Sequence, residues 1–573
     1  MESKNDNPWN LKFVKVIPSS IDINRVSQRT YGVLESAGQI TQKNFISTSF
    51  DNSQIVINAT PPSERVFISR RINIQARFRL TFTGTSGGAG QTLLQCSGLP
   101  FAPGVNPGNA QYDAPRCLPF SSACRSVNVQ INNDSVATNL SSYSRILQRY
   151  QRGPYEENHD LSGSPAMPDK SQSYDELIGF NLNPLAGYGD NVLQCPRGGF
   201  VGARVIRNDS TGAPGDIAIV ELTINEPIFI SPFQFSTEDE PLGLIGVQNM
   251  DFLFQLAGRG TGPLSGLISA LWSHAPGSPT VFSAIEADVL SAQAQLTFSS
   301  PPLMMSVPKE VCYSYFEPNL FSTTSFSPVL AGDETTLFMN TVNLKSVPNR
   351  VYVWVSQRDS DVNVTSTDTY FSISNLNVTF GNQDGIMSNA SQYELYQISR
   401  ANGLNISWTE FLYKVGSVLC ISMGDDVPLG PLQAPGLREN TSLSLQVVCR
   451  NISALQMIPT LQVLVIMEGV MCISNQSVYR SVGVLNPSDV LDTSMMPTGK
   501  HRKSKNFYGS SFWDQVKGLF SAKSLKKAAQ AGLDLAEVIP GPYQGIAHVA
   551  NRAIGSSLGG RGLSQQELKS LMR

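Results

Sequence analysis

The clearest pattern in this chain is a strict alternation of apolar and polar residues. From Ile72 to Thr83 every second residue is apolar and the residues between them are polar. A period of two sustained over such a stretch predicts a β-strand with one face buried and the other in water. The Gly-rich segment 84–90 that follows predicts a flexible loop.

Shorter apolar runs continue the pattern as far as residue 466. They predict strands at 127–131, 217–224, 228–233, 250–256 and 292–298, and then at 311–316, 336–344, 350–355, 370–380, 418–423, 443–449 and 461–466. One helix is predicted over 141–150, before a long loop at 151–215. Two regions with about eight strands each favour jelly rolls over smaller immunoglobulin domains. No repeat of letters relates the two regions, so any duplication must lie in the structure.

These patterns divide the chain into four parts. Residues 1–60 are polar and predict an N-terminal arm. Residues 61–300 and 301–490 predict the first and second jelly roll, joined at the Ser- and Pro-rich linker 299–302, and 491–573 predict a tail. The predicted fold is therefore all-β, with two tandem jelly-roll β-sandwiches and a short α-helical, basic C-terminal tail.

Charge is unevenly distributed along the chain. Only 15% of the residues are charged, and the net charge is −3, but residues 500–573 carry +8 and the rest carries −11. A basic tail on an acidic body predicts a contact with nucleic acid, an anionic membrane or an acidic partner surface.

The tail has two features that could make such a contact. The first is a basic cluster, and the second is a predicted amphipathic helix with an aromatic-rich apolar face, as in helices that lie at a membrane surface. The residues concerned are Lys500, Arg502, Lys503 and Lys505 in the cluster and Phe512, Trp513, Val516, Leu519 and Phe520 on the helix. Three interpretations stay open: binding to packaged genome, binding to membrane, and packing against the sandwiches or a neighbouring subunit.

The chain offers little site chemistry. The common nucleotide-binding, hydrolase and metalloprotease motifs are absent, and the four histidines are not at metal-ligand spacing. Gly424-Asp425-Asp426 is interpreted as a turn, and the Asp-rich segment 358–361 as a loop. The eight cysteines are scattered without a CxxC pair, which predicts free thiols in a reducing compartment. No apolar leader or long apolar stretch is found, so the sequence predicts neither secretion by a signal peptide nor a membrane span.

Several segments, taken in order, carry a family resemblance. They are residues 71–82, 118–120, 128–133, 142–143, 226–233 and 244–252 in the first region, and 347–355, 373–382 and 392–403 in the second. Together they resemble the hexon-type double jelly-roll major capsid proteins of polinton-like, adintovirus-like and related small icosahedral viruses. The resemblance implies two eight-stranded sandwiches side by side and a pseudo-hexameric trimer. In the tail, Leu558, Gly560 and Gly562 fit the L-x-G-x-G pattern cut by adenovirus-type proteases.

The predicted function is that of a major capsid protein that forms an icosahedral virion shell. It is not an enzyme and needs no cofactor or metal. Its expected partners are copies of itself, as a trimer and then a capsid, together with minor capsid proteins and, through the tail, genome or membrane. It is expected in the virion, assembled in the cytoplasm or nucleus of the host cell. The alternatives are a tandem jelly-roll coat protein of an RNA virus and a glycan-binding β-sandwich protein.

Overall fold

The structure is a computed structural model of the 573-residue chain. It describes residues 39–485, apart from 52, 64, 71, 96–101, 106–111, 116–119, 121–122, 152–199, 229, 234–242, 258–265, 275–277, 301–309, 366–369, 405, 415, 431, 454, 475–476 and 484.

The first sandwich lies within residues 39–300. Its strands are β1 (Gln39–Ile46), β2 (Ser49–Phe50), β3 (Gln54–Ala59), β4 (Phe67–Ile68), β5 (Asn73–Thr85), β6 (Asp113–Pro115), β7 (Cys124–Ile131), β8 (Asp134–Thr138), β9 (Phe200–Asn208), β10 (Asp216–Pro227), β11 (Met250–Leu256), β12 (Trp272–His274) and β13 (Val281–Ser300), with helices α1 (Leu140–Gln151) and α2 (Gly266–Leu271). One sheet has the order β1-β13-β5-β10-β9, with β4 also paired to β13, and the other has β2-β3-β11-β7-β8. The short strands β6 and β12 pair separately.

The second sandwich lies within residues 310–485. Its strands are β14 (Glu310–Thr324), β15 (Glu334–Leu344), β16 (Arg350–Gln357), β17 (Ser372–Phe380), β18 (Gln383–Ile386), β19 (Val418–Ser422), β20 (Thr441–Arg450), β21 (Pro459–Ser474) and β22 (Ser477–Val482), with helix α3 (Gln392–Ala401), a 3-10 turn (Asp359–Asp361) and a π-helical turn (Glu410–Lys414). One sheet has the order β14-β21-β16-β19, with β22 also paired to β21, and the other has β15-β20-β17-β18.

The two sandwiches share one strand order. In the first, the principal strands in chain order are β1, β3, β5, β7, β8, β10, β11 and β13, and in the second they are β14 to β21. In both sandwiches, the first, eighth, third and sixth of these principal strands form one sheet in that order. The second, seventh, fourth and fifth form the other sheet. Two packed antiparallel sheets with this crossed connectivity are a jelly roll. The duplication that the letters did not show is thus present in the topology.

The alternating pattern of the sequence explains where the core lies. On β5, Ile74, Phe78 and Phe82 are fully buried. The intervening Arg79 lies opposite Glu221 of β10 and forms an ion pair with it, with Nη2 2.6 Å from Oε1. Burying one such apolar side chain stabilises the fold by about 1.5–3 kcal/mol. The predicted strand at 72–83 is confirmed.

Some predictions differ from the structure. The described residues of 228–233 are not a strand, because prolines at 227 and 232 cannot donate to a ladder, although Ile228 and Ile230 are buried. Part of the predicted loop 151–215 is β9. Residues 39–59, within the predicted arm, supply the first two strands of the jelly-roll order. The predicted helix at 141–150 is confirmed as α1.

Candidate functional site: the junction between the sandwiches

Polar and aromatic side chains join the two sandwiches. The buried Tyr313 on β14 places its hydroxyl in the first sandwich, where it accepts from the backbone N–H of Ile245 (2.9 Å) and donates to the carbonyl of Gly243 (3.2 Å). The backbone N–H of Phe316 donates to Ser231 Oγ at 3.0 Å. These hydrogen bonds fix β14 against the loops of the first sandwich.

A buried cation lies at the same place. The guanidinium of Arg70 is stacked over the Tyr313 ring, 5.7 Å from its centroid, and its Nε donates to the carbonyl of Pro232. Burial lowers the pKa of Arg70 to about 10, which the Tyr313 interaction opposes. The group therefore stays charged at neutral pH, and a cation over an aromatic ring in a desolvated place is attracted strongly.

A second cation bridges the sandwiches at β8 and β22. Arg480 donates through Nη1 to the hydroxyl of Tyr315 (3.0 Å) and through Nη2 to the backbone carbonyl of Ser135 (2.9 Å). Its Nε lies 2.5 Å from Oδ2 of Asp134. Both side chains of this ion pair are about three-quarters buried, so water screens it less than a surface pair.

We expect Arg480→Met to destabilise the protein by about 1–3 kcal/mol, because Asp134 and Tyr315 lose their partner. The matched control is Arg358→Met, which removes an exposed ion pair with Asp361 inside one turn and should cost less than about 1 kcal/mol. Denaturant unfolding of both variants measures the difference. Equal losses would show that Arg480 adds nothing beyond a surface pair.

Helix α1 inserts an aromatic side chain into the second sandwich. The hydroxyl of Tyr150 donates to the carbonyl of Val418 at 2.6 Å. Its ring meets that of Tyr352 edge to face, with centroids 5.1 Å apart. Both rings are buried, so this contact combines packing with a satisfied hydrogen bond.

A buried histidine lies at a fourth contact. The backbone N–H of His274 on β12 donates to the carbonyl of Val364 in the second sandwich at 2.6 Å. Its Nδ1 lies 2.8 Å from Oδ1 of Asp113, which also accepts from the indole N–H of Trp272. Burial alone lowers the pKa of His274, but the charge and hydrogen bond of Asp113 outweigh it and leave the pKa raised.

This raised pKa predicts a pH dependence of stability. The protonated His274 stabilises the fold fully below the unfolded-state pKa of about 6.5, and this contribution disappears as the pH rises through the higher folded-state value. We expect the difference in unfolding free energy between the wild type and His274→Asn to shrink from about pH 5.5 to about pH 8.5. A difference that stays constant over this range would contradict a protonated His274.

The cysteines only partly match the prediction. Cys124, Cys420 and Cys449 are free and buried, and burial raises the pKa of each thiol, to about 12 for Cys420 and Cys449. Cys472 on β21, however, is disulfide-bonded, and its register partner on β14 is Cys312. The prediction of eight free thiols is therefore wrong. Sequence spacing could not show it, because the pairing of β14 with β21 decides which residue lies opposite Cys472.

The other candidate segments have structural roles. Gly424-Asp425-Asp426 forms a turn, as predicted, in which Asp426 Oδ2 accepts from the Ser422 N–H (2.8 Å) and Asn402 Nδ2 (2.7 Å). In the Asp-rich loop, the Asp361 carboxylate is bound by Arg358. Within the described ranges, no group of acidic, histidine or cysteine side chains is arranged to hold a metal ion. In the same part of the chain no helix is long and apolar enough to cross a bilayer.

The site residues predicted in the tail lie outside the described residues. They are Lys500, Arg502, Lys503, Lys505, Phe512, Trp513, Val516, Leu519 and Phe520, and the cleavage pattern Leu558, Gly560 and Gly562. The junction, in contrast, was not predicted. The resemblance included residues 226–233, 244–252 and 347–355, but no local pattern indicates that Tyr313 or Arg480 reaches across to another domain.

Comparison with known proteins matches both sandwiches to one kind of virus protein. Residues 11–262 match the family model of the Sputnik virophage major capsid protein first domain, and 318–469 match that of the major capsid protein V20 C-terminal domain. The two matches together span more than half of the chain. The chain is homologous to virophage major capsid proteins.

Relatives agree along nearly the whole length. Capsid protein V20 of Sputnik virophage is 27% identical, over 98% of this chain and 99% of that protein. The cryo-EM structure of Sputnik virophage matches with a TM-score of 0.69 and 25% identity, over 87% of this chain and 99% of that one. The crystal structure of the mavirus major capsid protein shares the fold, with a TM-score of 0.62 and 12% identity, over 87% and 98%.

The role of this virophage-type capsid protein is structural rather than enzymatic. It is a component of the virion and assembles into a multimeric capsid. Within each chain, the hydrogen bonds and the ion pair of the junction hold the two sandwiches together.

Proposed function

We propose that three chains form a pseudo-hexameric trimer that is the building block of an icosahedral shell. The observation that carries the proposal is the repeated strand order, because each chain then supplies two lobes of similar shape. A closed threefold arrangement of three such chains has six similar lobes. The buried contacts of Tyr313, Arg480 and Tyr150 keep the two lobes of each chain in register.

Exposed apolar side chains support association. Phe326 is fully exposed and Leu330 is more than half exposed in the connection between β14 and β15. Phe338, which is also more than half exposed, lies on β15. Several large apolar groups in one segment of a surface indicate a contact with another chain. Burial of these groups between copies would contribute to the assembly of the trimer.

Light scattering tests this proposal on the purified full-length chain. We expect a mass of three times 62.2 kDa. We expect Phe326→Ser/Phe338→Ser to shift the equilibrium towards monomers while the far-UV circular dichroism spectrum stays that of the wild type; the unfolding midpoint falls only by the stabilisation that association itself supplies. A wild type that stays monomeric at micromolar concentration would contradict the trimer. A double variant that stays trimeric would place the contact elsewhere.

For the tail, the sequence supports contact with an anionic partner inside the particle, genome or membrane. The net charge of +8 in residues 500–573 opposes the acidic remainder of the chain. Genome binding would rest on Lys500, Arg502, Lys503 and Lys505 and would weaken as salt rises. Membrane binding would rest on Phe512 and Phe520, with Trp513, Val516 and Leu519 on the same predicted helix.

Two sets of substitutions in the full-length chain separate these partners. Replacing the four basic residues by Gln should abolish nucleic-acid binding if genome is the partner. Phe512→Ala/Phe520→Ala should abolish leakage of anionic vesicles if membrane is the partner. If neither activity exists while deletion of the tail blocks assembly, the tail is a packing element between subunits. Assembly in the cytoplasm or nucleus, partnership with minor capsid proteins and cleavage at Leu558, Gly560 and Gly562 stay predictions.

A further inference from the structure

A polar pocket of about 320 Å³ lies at one end of the β15-β20-β17-β18 sheet. We call it the sheet-end pocket. The start of β15, the start of β17 and the end of β20 meet there, and the first residue of α3 and the π-helical turn complete it. Its volume is within the range of sites that hold small molecules.

The floor of the pocket is rigid. Asn451 is buried, and its Nδ2 donates to the carbonyls of Val329 (3.0 Å) and Leu455 (2.9 Å). Its Oδ1 accepts from the N–H of Ser453 at 2.9 Å. Because both Nδ2 and Oδ1 are hydrogen-bonded, Asn451 holds the loop after β20 in one conformation.

Above this floor, several polar groups are held in place but keep unused hydrogen-bonding capacity. Gln392 Nε2 donates to Ser372 Oγ (2.9 Å) and to the carbonyl of Ile373 (2.8 Å), which leaves its Oε1 as an acceptor. Arg450 Nε donates to the carbonyl of Gly332 (2.9 Å), which orients the guanidinium and leaves its terminal nitrogens as donors. Glu334 lies opposite Arg450 in the β15–β20 register, and its carboxylate accepts no hydrogen bond from the described residues.

An aromatic ring completes the wall. Tyr413 lines the pocket beside Leu412 and is 58% exposed. Both residues belong to the π-helical turn Glu410–Lys414. Such turns are rare and occur often at functional sites, because the extra residue displaces side chains from the helical positions they would otherwise occupy.

We propose that the sheet-end pocket binds a pyranose sugar, as one unit of a glycan. A pyranose has an apolar C–H face that stacks on an aromatic ring and a rim of hydroxyls that both donate and accept. Tyr413 supplies the ring, Glu334 and Gln392 supply acceptors, and Arg450 supplies donors. The formal charges of Glu334 and Arg450 cancel, which suits a ligand with many hydroxyls and no net charge.

Saturation-transfer NMR on the full-length protein tests this inference. The probes are the methyl glycosides of mannose, galactose and N-acetylglucosamine, with open-chain sorbitol and triglycine for comparison. We expect transfer to the ring C–H protons of at least one glycoside and none to sorbitol or triglycine. We expect Tyr413→Ala to weaken binding about tenfold, and Arg450→Met and Gln392→Ala to weaken it as well.

Two variants serve as controls. Tyr413→Phe keeps the ring and should keep binding. Tyr393→Ala removes an exposed tyrosine on α3 that does not line the pocket and should bind like the wild type. Tyr413→Ala and Tyr413→Phe should unfold at the wild-type midpoint, because Tyr413 is more than half exposed. No transfer to any glycoside, equal binding by Tyr413→Ala, or a preference for sorbitol or triglycine would overturn the proposal.

Discussion

Replacing Tyr150 by alanine is expected to destabilise the protein by about 3–5 kcal/mol, because a buried aromatic side chain leaves a cavity. The Tyr150 ring, which projects from α1, packs edge to face against Tyr352. Its hydroxyl donates a hydrogen bond to the backbone carbonyl of Val418. The loss falls on the junction, so assembly should fail as well, since the two sandwiches are no longer held at a fixed angle. Denaturant unfolding and light scattering of the purified variant measure the two effects.

The control for this prediction is Tyr150→Phe. It keeps the ring and removes only the hydroxyl, so the expected loss is about 1 kcal/mol. A loss of unfolding free energy below about 1 kcal/mol for Tyr150→Ala would show that neighbouring residues fill the cavity without destabilising the fold. It would also show that α1 does not hold the sandwiches together.

Alanine at Gly416 should have an effect of similar size for a different reason. Gly416 has φ +87°, and a Cβ built there would lie 2.1 Å from the carbonyl oxygen of Tyr370. The segment is fixed on that side, because the N–H of Ser417 donates to the carbonyl of Phe371 at 3.0 Å. Backbone strain and overpacking together should cost about 2–6 kcal/mol.

Gly215→Ala is the matched control for Gly416→Ala. Gly215 also has a positive φ, +101°, but a Cβ there would meet nothing within 4 Å. Only the backbone strain of about 1–3 kcal/mol should appear. Thermal unfolding of the two variants, or their soluble yield if Gly416→Ala does not fold, separates the clash from the strain. Equal stability of the two would contradict the clash.

The strands that the sequence predicted best are those with one face in the core. On β5, burial alternates with the letters, because residues two apart on a strand share a face. The strand predicted at 228–233 failed for a related reason. A run of apolar residues indicates that a segment is buried. It does not show that the backbone pairs with a neighbouring strand, and the prolines at 227 and 232 have no N–H to donate to such a pairing. Helix α3 was missed, although Ser391 and Glu394 form a capping box that the sequence does show.

The sequence by itself thus determined the class of fold, the two successive sets of strands and, through the ordered segments, the resemblance to viral capsid proteins. These features depend on the periodicity of apolar residues and on the local amino-acid sequence, which are properties of residues close together in the chain. Only the tertiary structure decided the repeated strand order and the four contacts at the junction. It also decided that Cys472 is bonded and that Tyr413 shares a pocket with Arg450. Each of these joins residues far apart in the chain, and which distant residues meet is fixed by the pairing of strands and the packing of sheets rather than by any pattern within one segment.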